Sequence, residues 1–270
     1  MKTLEKGETK PGLRAASALA LVICGITLAG LFYLPYDYNA MNSGNRFSPP
    51  GLSHLLGTDN FGRDILSRIM AGAKYTLITA LVTVAGSAAA GTALGMIAGF
   101  AAGFREELIM RIMDALSSFP GILLALVMVS LMGTSPGALV IALLILFVPG
   151  FTRIMRNGMV QYKSRNFVLA ARVAGIGNIR IIFVHIFPNL ARPLISASVL
   201  GLSNAILAES TMSYLGLGIQ PPVPSWGRML SESQTFLFNA PWCALAPGIV
   251  IMLTVLAFHY LGDSLAERFG

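Results

Sequence analysis

Long apolar stretches, separated by shorter polar ones, recur along the whole chain. Residues 15–34 form a mostly apolar run of the length that a helix needs to cross the hydrocarbon core of a membrane. No charged residue occurs in 75–104 or in 115–152. Two further apolar runs lie at about 189–218 and 241–262. This pattern predicts an all-α integral membrane protein.

The stretch "GTSPG" at residues 133–137 interrupts one of these apolar runs. Glycine and proline at this density mark a tight turn. We therefore predict two helices in this part of the chain, at roughly 109–132 and 138–157. Together with the other four runs, they give about six transmembrane helices.

The first run follows several basic residues, so a cleaved signal peptide is an alternative to a transmembrane helix. The apolar part of a signal peptide is only about 7–15 residues long and is followed by a small-residue cleavage site. The run at 15–34 is longer, and no clear site of this kind follows it. We interpret it as a retained membrane anchor.

The composition agrees with a membrane protein. Of the 270 residues, 55% are hydrophobic and 11% are charged, and the mean hydropathy is +0.71. A soluble domain carries about 25% charged residues. The net charge of +7 is distributed between the apolar runs, which argues against nucleic-acid binding. Cys24 and Cys243 lie in apolar surroundings without a CxxC spacing, so we predict buried, unpaired thiols.

The basic residues predict the orientation. If the N-terminus is cytoplasmic, 14 of the 19 basic residues lie in inside segments, as the positive-inside rule requires. These 14 are Lys2, Lys6, Lys10, Arg14, Arg105, Arg111, Arg153, Arg156, Lys163, Arg165, Arg172, Arg180, Arg192 and Arg268. The other five are Arg46, Arg63, Arg68, Lys74 and Arg228. We predict that both termini are cytoplasmic.

This topology divides the chain into five segments. They are a cytoplasmic N-terminal tail at 1–14, a first transmembrane helix at 15–34, an extracytoplasmic segment at 35–74, a five-helix core at 75–262 and a cytoplasmic C-terminal tail at 263–270. The core includes a long cytoplasmic loop at 158–188, which we call the coupling loop. No acidic residue occurs between Asp114 and Glu209.

The sequence "FVLAARVAGIGNIRIIFVHIFPN" at 167–189 predicts two short helices joined by a glycine bend. Gly175 and Gly177 permit a sharp turn, and Pro188 is expected to end the second helix. Ala170, Ala171 and Gly175 carry little or no side chain, so another protein could approach the backbone closely. The alternative interpretation is an interfacial helix that only anchors the loop.

This stretch resembles the cytoplasmic loop of ABC-transporter permeases, in which Glu-Ala-Ala is followed by three residues, Gly and a hydrophobic run that ends near Pro. Ala170, Ala171, Gly175 and Pro188 match the pattern, whereas Leu169 stands where the family often has Glu. Two further stretches, "LGTDNFGRDILSRI" at 56–69 and "AESTMSYLGLGIQPPVPSWGRML" at 208–230, resemble signatures of the dipeptide, oligopeptide and nickel permease group. The resemblance is greatest to the second, shorter permease of each pair.

The resemblance implies a type I ABC importer fold in a bacterial cytoplasmic (inner) membrane. It also implies four kinds of partner: a homologous permease, two ATPase subunits or domains, an extracytoplasmic substrate-binding protein and the lipid bilayer. ATP and Mg would bind to the ATPases, and this chain would bind no cofactor. The implied ATPase contact comprises Ala170, Ala171, Arg172, Gly175, Ile176 and Gly177. We expect Gly175→Trp, or a large residue at Ala171, to uncouple ATP hydrolysis from uptake.

The two other motifs also have a structural interpretation. Asp59–Arg63 and Asp64–Arg68 have the i,i+4 spacing of ion pairs on an external helix. For that helix, a role in packing is a simpler interpretation than direct contact with substrate. Trp226 is expected to lie at the outer membrane interface, where tryptophan is enriched.

Glu209 is the one acid deep in an apolar run, where a carboxylate is costly and often functional. It is a candidate pathway or gate residue, although pairing with a partner subunit or a position nearer the interface would also explain it.

Gly91, Gly95, Gly99 and Gly103 are spaced by four residues. We interpret this stripe as a helix-packing surface in preference to a substrate groove.

The chain lacks the motifs of a catalyst. There is no phosphate-binding Gly-x-x-x-x-Gly-Lys-Ser/Thr loop, so ATP hydrolysis is expected on separate subunits. His54, His185 and His259 have no metal-ligand spacing. We therefore predict no catalytic, cofactor or metal site. The cargo implied by the resemblance is a di- or oligopeptide, or else nickel or a metal chelate.

A self-contained six-helix secondary transporter or channel is the alternative. That class predicts inverted repeats and paired charges within the membrane. No convincing repeat is seen, and the coupling loop would have no role in such a protein. A purely structural membrane scaffold would leave the three motifs unexplained.

Overall fold

A computed structural model of the chain describes residues 33–101 and 103–269, with Gly25 and Gly30 in addition. The predicted first transmembrane helix at 15–34 and Cys24 lie almost wholly outside these residues. The described part is helical, and its only β pairing is the isolated bridge between Thr58 and Asp64. The helices are α1 (Ile65–Ala101), α2 (Phe104–Ser118), α3 (Gly121–Met132), α4 (Pro136–Lys163), α5 (Asn166–Val173), α6 (Asn178–Tyr214), α7 (Trp226–Glu232) and α8 (Trp242–Phe269).

Four of these helices, α1, α4, α6 and α8, are long and apolar enough to cross a membrane. The pair formed by α2 and α3 also qualifies as one span if its sharp bend is allowed. The predicted single helix at 109–132 is therefore wrong, because α2 and α3 meet at 93°. Pro120 cannot continue a helix, and Phe119 before it is extended, with φ −85° and ψ 142°.

Small residues allow α1 to pack closely against α4. A Cβ atom on Gly91 would lie 2.5 Å from Phe151 Cβ, and one on Gly95 would lie 2.6 Å from Met155 Cβ. A Cβ atom on Gly99 would lie 2.5 Å from Met159 Cβ. Three glycines of the predicted stripe thus face α4. The prediction for Gly103 is wrong, because α1 ends at Ala101 and Gly103 lies in the following turn with φ +70°, where an added Cβ atom would meet none of the described residues within 4 Å.

The start of α6 contains a six-residue π-helical turn, Ile181–Ile186. Pro188 follows it without ending the helix, contrary to prediction. Proline removes a backbone donor and crowds the preceding turn, and a wider turn accommodates it. The side-chain amide of Asn189 donates to the carbonyl of His185 over 2.7 Å, which supplies that carbonyl with a donor. The coupling loop therefore continues directly into the next membrane-spanning helix.

Candidate functional site

The coupling loop turns back between α5 and α6 through a glycine-dependent helix end. Gly175 has φ +76°, a conformation that favours glycine. Its N–H donates to the carbonyl of Arg172, and the N–H of Ile176 donates to that of Ala171. These two bonds are those of a Schellman motif. Ile176 packs on the core beside Ala171 and so fixes the turn.

The six residues predicted to contact an ATPase do not all face outward. Ala170, Arg172, Gly175 and Gly177 are exposed, and Ile176 is half-buried. Ala171 is only 7% exposed and belongs to the core cluster. A large residue at Ala171 is therefore not a suitable test of docking, because it would first disturb the packing of α5.

Exposed apolar side chains surround the small residues of the loop. Val173 is 91% exposed and Ile179 is 75% exposed, and Leu169, at the position where the family often has Glu, is also exposed. Exposed apolar patches of this kind often mark sites of protein or membrane contact. The combination of apolar side chains and bare backbone gives the coupling loop a surface that can receive a partner.

Ion pairs hold the base of this loop to the neighbouring helices. Arg153 on α4 donates to Asp114 on α2 over 2.8 Å, and Arg156 pairs with Glu106. Lys163 Nζ donates to the carbonyl of Phe100 at the end of α1 over 2.9 Å. The structure thus gathers several of the basic residues predicted to be cytoplasmic at one end of the helices.

The opposite end carries a second charged cluster. It joins the segment before α1 to α7 through Asp59, Arg63, Arg68, Arg228 and Glu232. Glu232 Oε2 lies 3.3 Å from Arg63 Nη2 and 3.1 Å from Arg68 Nη2. We call these five residues the ionic cluster. Because α1 has 37 residues and is about 55 Å long, the ionic cluster and the coupling loop lie far apart.

The predicted external helix over 56–69 is wrong for its first part, because α1 begins only at Ile65. Asp59 and Arg63 do form an ion pair, with Nε and Oδ2 2.6 Å apart, but in a turn. Asp64 instead accepts hydrogen bonds from the backbone N–H and hydroxyl of Ser67, each over 2.8 Å. It therefore caps α1 and does not pair with Arg68.

The two motifs at 56–69 and 208–230 come together in space, although they are far apart in sequence. Trp226, which is predicted to lie at the outer membrane interface, is buried within the chain, and its indole N–H donates to the carbonyl of Ile69 over 3.0 Å. Trp242 and Cys243 both donate to the carbonyl of Thr58. The predicted burial of the Cys243 thiol is confirmed. Sequence spacing alone gives no sign of this assembly.

Glu209 lies beneath this assembly and is 0% exposed. Its Oε1 accepts a hydrogen bond of 2.7 Å from the hydroxyl of Ser213. The oxygen of Ser213 in turn accepts from the backbone N–H of Ile219 over 3.2 Å, in the loop after α6. Among the described residues no basic side chain forms an ion pair with Glu209, and its Oε2 has no hydrogen-bond partner. The carboxyl group therefore ties α6 to this loop and has no contact with solvent in this conformation.

We expect Glu209→Gln to retain most uptake, within about threefold, because the amide oxygen still accepts from Ser213. Glu209→Ala leaves that buried hydroxyl without its acceptor, at a cost of about 1–3 kcal/mol, and uptake should fall more. Both variants are compared with the parent at equal amounts of inserted protein. An equal and complete loss in both would show that the negative charge itself is required.

The described part of the chain therefore combines membrane-length helices, an exposed loop at one end, an ionic cluster at the other and a buried carboxyl group. Residues 91–270 match the family model described as binding-protein-dependent transport system inner membrane component. The chain therefore belongs to this family, the permease subunits of ABC importers.

Individual relatives agree with this assignment. The chain is 43% identical over 253 residues to the dipeptide transport system permease protein DppC of Escherichia coli K12, covering 92% of this chain and 84% of that protein. It is also 43% identical to DppC of Alkalihalophilus pseudofirmus, over 86% of this chain and 76% of that protein. A putative peptide transport permease of Brucella suis is 40% identical, over 85% of this chain and 77% of that protein.

A solved structure shows the same fold. One chain of the MetNI methionine ABC transporter, in inward-facing conformations, superimposes with a TM-score of 0.61. The match covers 74% of this chain and 94% of that chain, at 16% sequence identity. The predicted type I importer permease fold is confirmed.

Proposed function

We propose that this chain forms half of the translocation pathway of an ATP-driven importer of dipeptides or short oligopeptides. The observation that carries the proposal is the 43% identity to dipeptide permeases over most of the chain. The relatives favour peptides over nickel or a metal chelate, the other cargo class that the sequence resemblance implies. A homologous permease supplies the other half of the pathway, and an extracytoplasmic binding protein delivers the peptide.

The coupling loop is the proposed contact with one of two ATPase subunits. Ala170, Gly175 and Gly177 allow close approach, while Val173 and Ile179 offer apolar surface for a groove on the ATPase. ATP binding closes the ATPases and displaces this loop, and hydrolysis resets it. Rigid-body movement of the helices then alternates access to the two sides of the membrane.

Glu209 has a gate role in this scheme, not a role in contacting the peptide. It holds the loop after α6 through Ser213, and that loop leads into α7, whose Trp226 donates to the carbonyl of Ile69 on α1. A change in the position of α6 therefore changes the hydrogen bonds that fix the loop at the outer end. This makes the Glu209–Ser213 pair part of the closure of the pathway.

The test begins with gentle detergent extraction of the tagged chain from its host, followed by mass spectrometry of the co-purified proteins. We expect a second permease and one or two ATPase chains. The complex is then reconstituted in vesicles, and ATP-dependent uptake of radiolabelled dialanine is measured with and without the binding protein. Uptake of nickel but not of dipeptide would replace peptides with nickel as the proposed cargo. Uptake by this chain alone, driven by an ion gradient, would replace the importer with a secondary transporter.

A further inference from the structure

An apolar groove lies between the end of α1 and the π-helical turn of α6. Its volume is about 410 Å³, and every lining side chain is apolar. These residues are Ala93, Met96, Ile97, Phe100, Ala101, Ile182 and Phe183. Ile97 and Phe183 are half-exposed in the described chain, so the groove is open to its surroundings. A volume of this size suits a small molecule or part of a larger one.

Two cations lie near Phe100, one of the residues that line this groove. Lys163 Nζ is 5.5 Å from the centre of the Phe100 ring, and Arg172 Cζ is 5.9 Å from the same centre. Phe100 is one of the lining residues, so both charges lie close to one wall of the groove, and Lys163 also donates to the carbonyl of Phe100. Arg172 therefore reaches back towards α1, although it belongs to the exposed coupling loop. No acidic residue occurs between Asp114 and Glu209 to offset these charges within this part of the sequence.

We propose that this groove binds an acyl chain of an anionic phospholipid from the cytoplasmic leaflet, with the lipid phosphate held by Lys163 and Arg172. The pairing of a fully apolar groove with two cations matches the two parts of such a lipid. Basic pockets beside transmembrane helices on the cytoplasmic side are suited to acidic headgroups. The site depends on membrane placement and on the predicted orientation, not on the identity of the cargo.

The groove also connects two parts of the molecule. One wall is the end of α1, and the other is formed by Ile182 and Phe183, a few residues after the glycine turn of the coupling loop. A lipid bound here would contact both α1 and the start of α6, the element that we propose moves with the ATPase. The proposal that a bound lipid contacts a moving element rests on the proposed function, whereas lipid binding itself does not.

The binding test uses the whole importer complex, with the same partner proteins, examined by native mass spectrometry. Phosphatidylglycerol and phosphatidylcholine with identical acyl chains are added in turn. We expect phosphatidylglycerol to be retained preferentially. In Lys163→Gln/Arg172→Gln its retention should fall about 10- to 30-fold, because two basic contacts to the headgroup are lost. Lys163→Gln alone should give a smaller loss, and Lys163→Arg should restore binding.

Arg111→Gln is the matched control, because Arg111 is 77% exposed and, within the described part of the chain, pairs with Glu107 on the same helix, α2. It removes one positive charge from the same side of the molecule without touching the groove. We expect it to leave phosphatidylglycerol retention unchanged. Equal retention of the two lipids by the parent complex, or an equal loss in the control and in Lys163→Gln, would overturn the proposal.

A photoreactive residue at Ile97 identifies the occupant directly. The proposal predicts a crosslink to phospholipid in native membranes. A crosslink to a second protein, or to the segment of this chain around residues 15–34, would show that a helix occupies the groove and would overturn the proposal. Recovery of the ATPases with each variant verifies that the complex is intact, so a loss of lipid is distinguished from a loss of assembly.

Discussion

Gly177→Trp is expected to reduce ATP-dependent uptake about 30-fold or more while the chain still inserts in the membrane. Gly177 has φ −64° and ψ 150°, which any residue can adopt, and a Cβ atom there meets no atom of the described residues within 4 Å. The indole ring therefore causes no strain within this chain. It does occupy the space into which we propose that the ATPase docks. Losing a central interface contact costs about 2 kcal/mol or more, which sets the expected size of the effect.

Gly177 is a better test position than Gly175, because the φ of +76° at Gly175 would strain any larger residue by itself. The matched control is Gly137→Trp, in the first turn of α4, where the site is also exposed and also open within 4 Å. Uptake and ATPase activity are measured in the same vesicles. ATP hydrolysis without uptake, or loss of the ATPase from the Gly177→Trp complex, supports docking. Parent-level uptake by Gly177→Trp would exclude docking at this position.

Glu232→Leu is expected to lower the apparent melting temperature of the purified complex by about 6–12 °C. Glu232 accepts from Arg63 and Arg68, and the side chain of Arg68 is only 3% exposed. Removing the carboxylate leaves buried guanidinium groups short of negative charge, which costs about 3 kcal/mol or more. Among the residues that the structure describes, Arg68 Nη1 has no hydrogen-bond partner, so it offers no alternative contact. Thermal unfolding in one detergent, followed by tryptophan fluorescence, measures the change.

Glu107→Leu provides the comparison, because it also removes one carboxylate from an ion pair with arginine. The Glu107–Arg111 pair is solvent-exposed, at 59% and 77%, and such pairs contribute about 0–1 kcal/mol. We expect Glu107→Leu to lower the melting temperature only slightly. Adding Arg68→Met to Glu232→Leu should recover part of the lost stability, since it removes a buried charge that keeps only its longer contact of 3.9 Å with Asp59. Equal melting temperatures for the Glu107 and Glu232 variants would contradict this account of the ionic cluster.

Local sequence patterns predict much of this fold. Apolar length predicts the helices, and the four-residue spacing of Gly91, Gly95 and Gly99 predicts a close-packed face. Local patterns fail where two signals compete. The i,i+4 rule suggests an Asp64–Arg68 pair, but Asp64 precedes the first turn of α1 and its carboxylate is used to cap that turn. Proline at 188 suggests a helix end, yet a π-helical turn accommodates it.

The geometry of a helix explains the error at Ala171. Successive helical residues point about 100° apart, so Ala170 and Ala171 cannot both face one partner. Sequence similarity marks both positions but does not say which is exposed. The contacts of Glu232 are harder still to anticipate, because Arg63 and Arg68 lie 169 and 164 residues away in sequence. Only the folded chain brings these charges together, and the same holds for Trp226 and Ile69.

The π-helical turn also determines how force can travel through the molecule. Because α6 continues from Asn178 to Tyr214 without a break, it is a rod about 55 Å long that runs from the coupling loop to the bond between Ser213 and Ile219. The π-helical turn and Pro193 inside the helix are local irregularities in the hydrogen bonding of this rod, so we expect sideways bending to concentrate between Ile181 and Pro193. Displacement along the axis has no comparable weak point. A push on the loop would then arrive at the far end as a shift or rotation of the whole rod, and a sideways pull would be absorbed near its base.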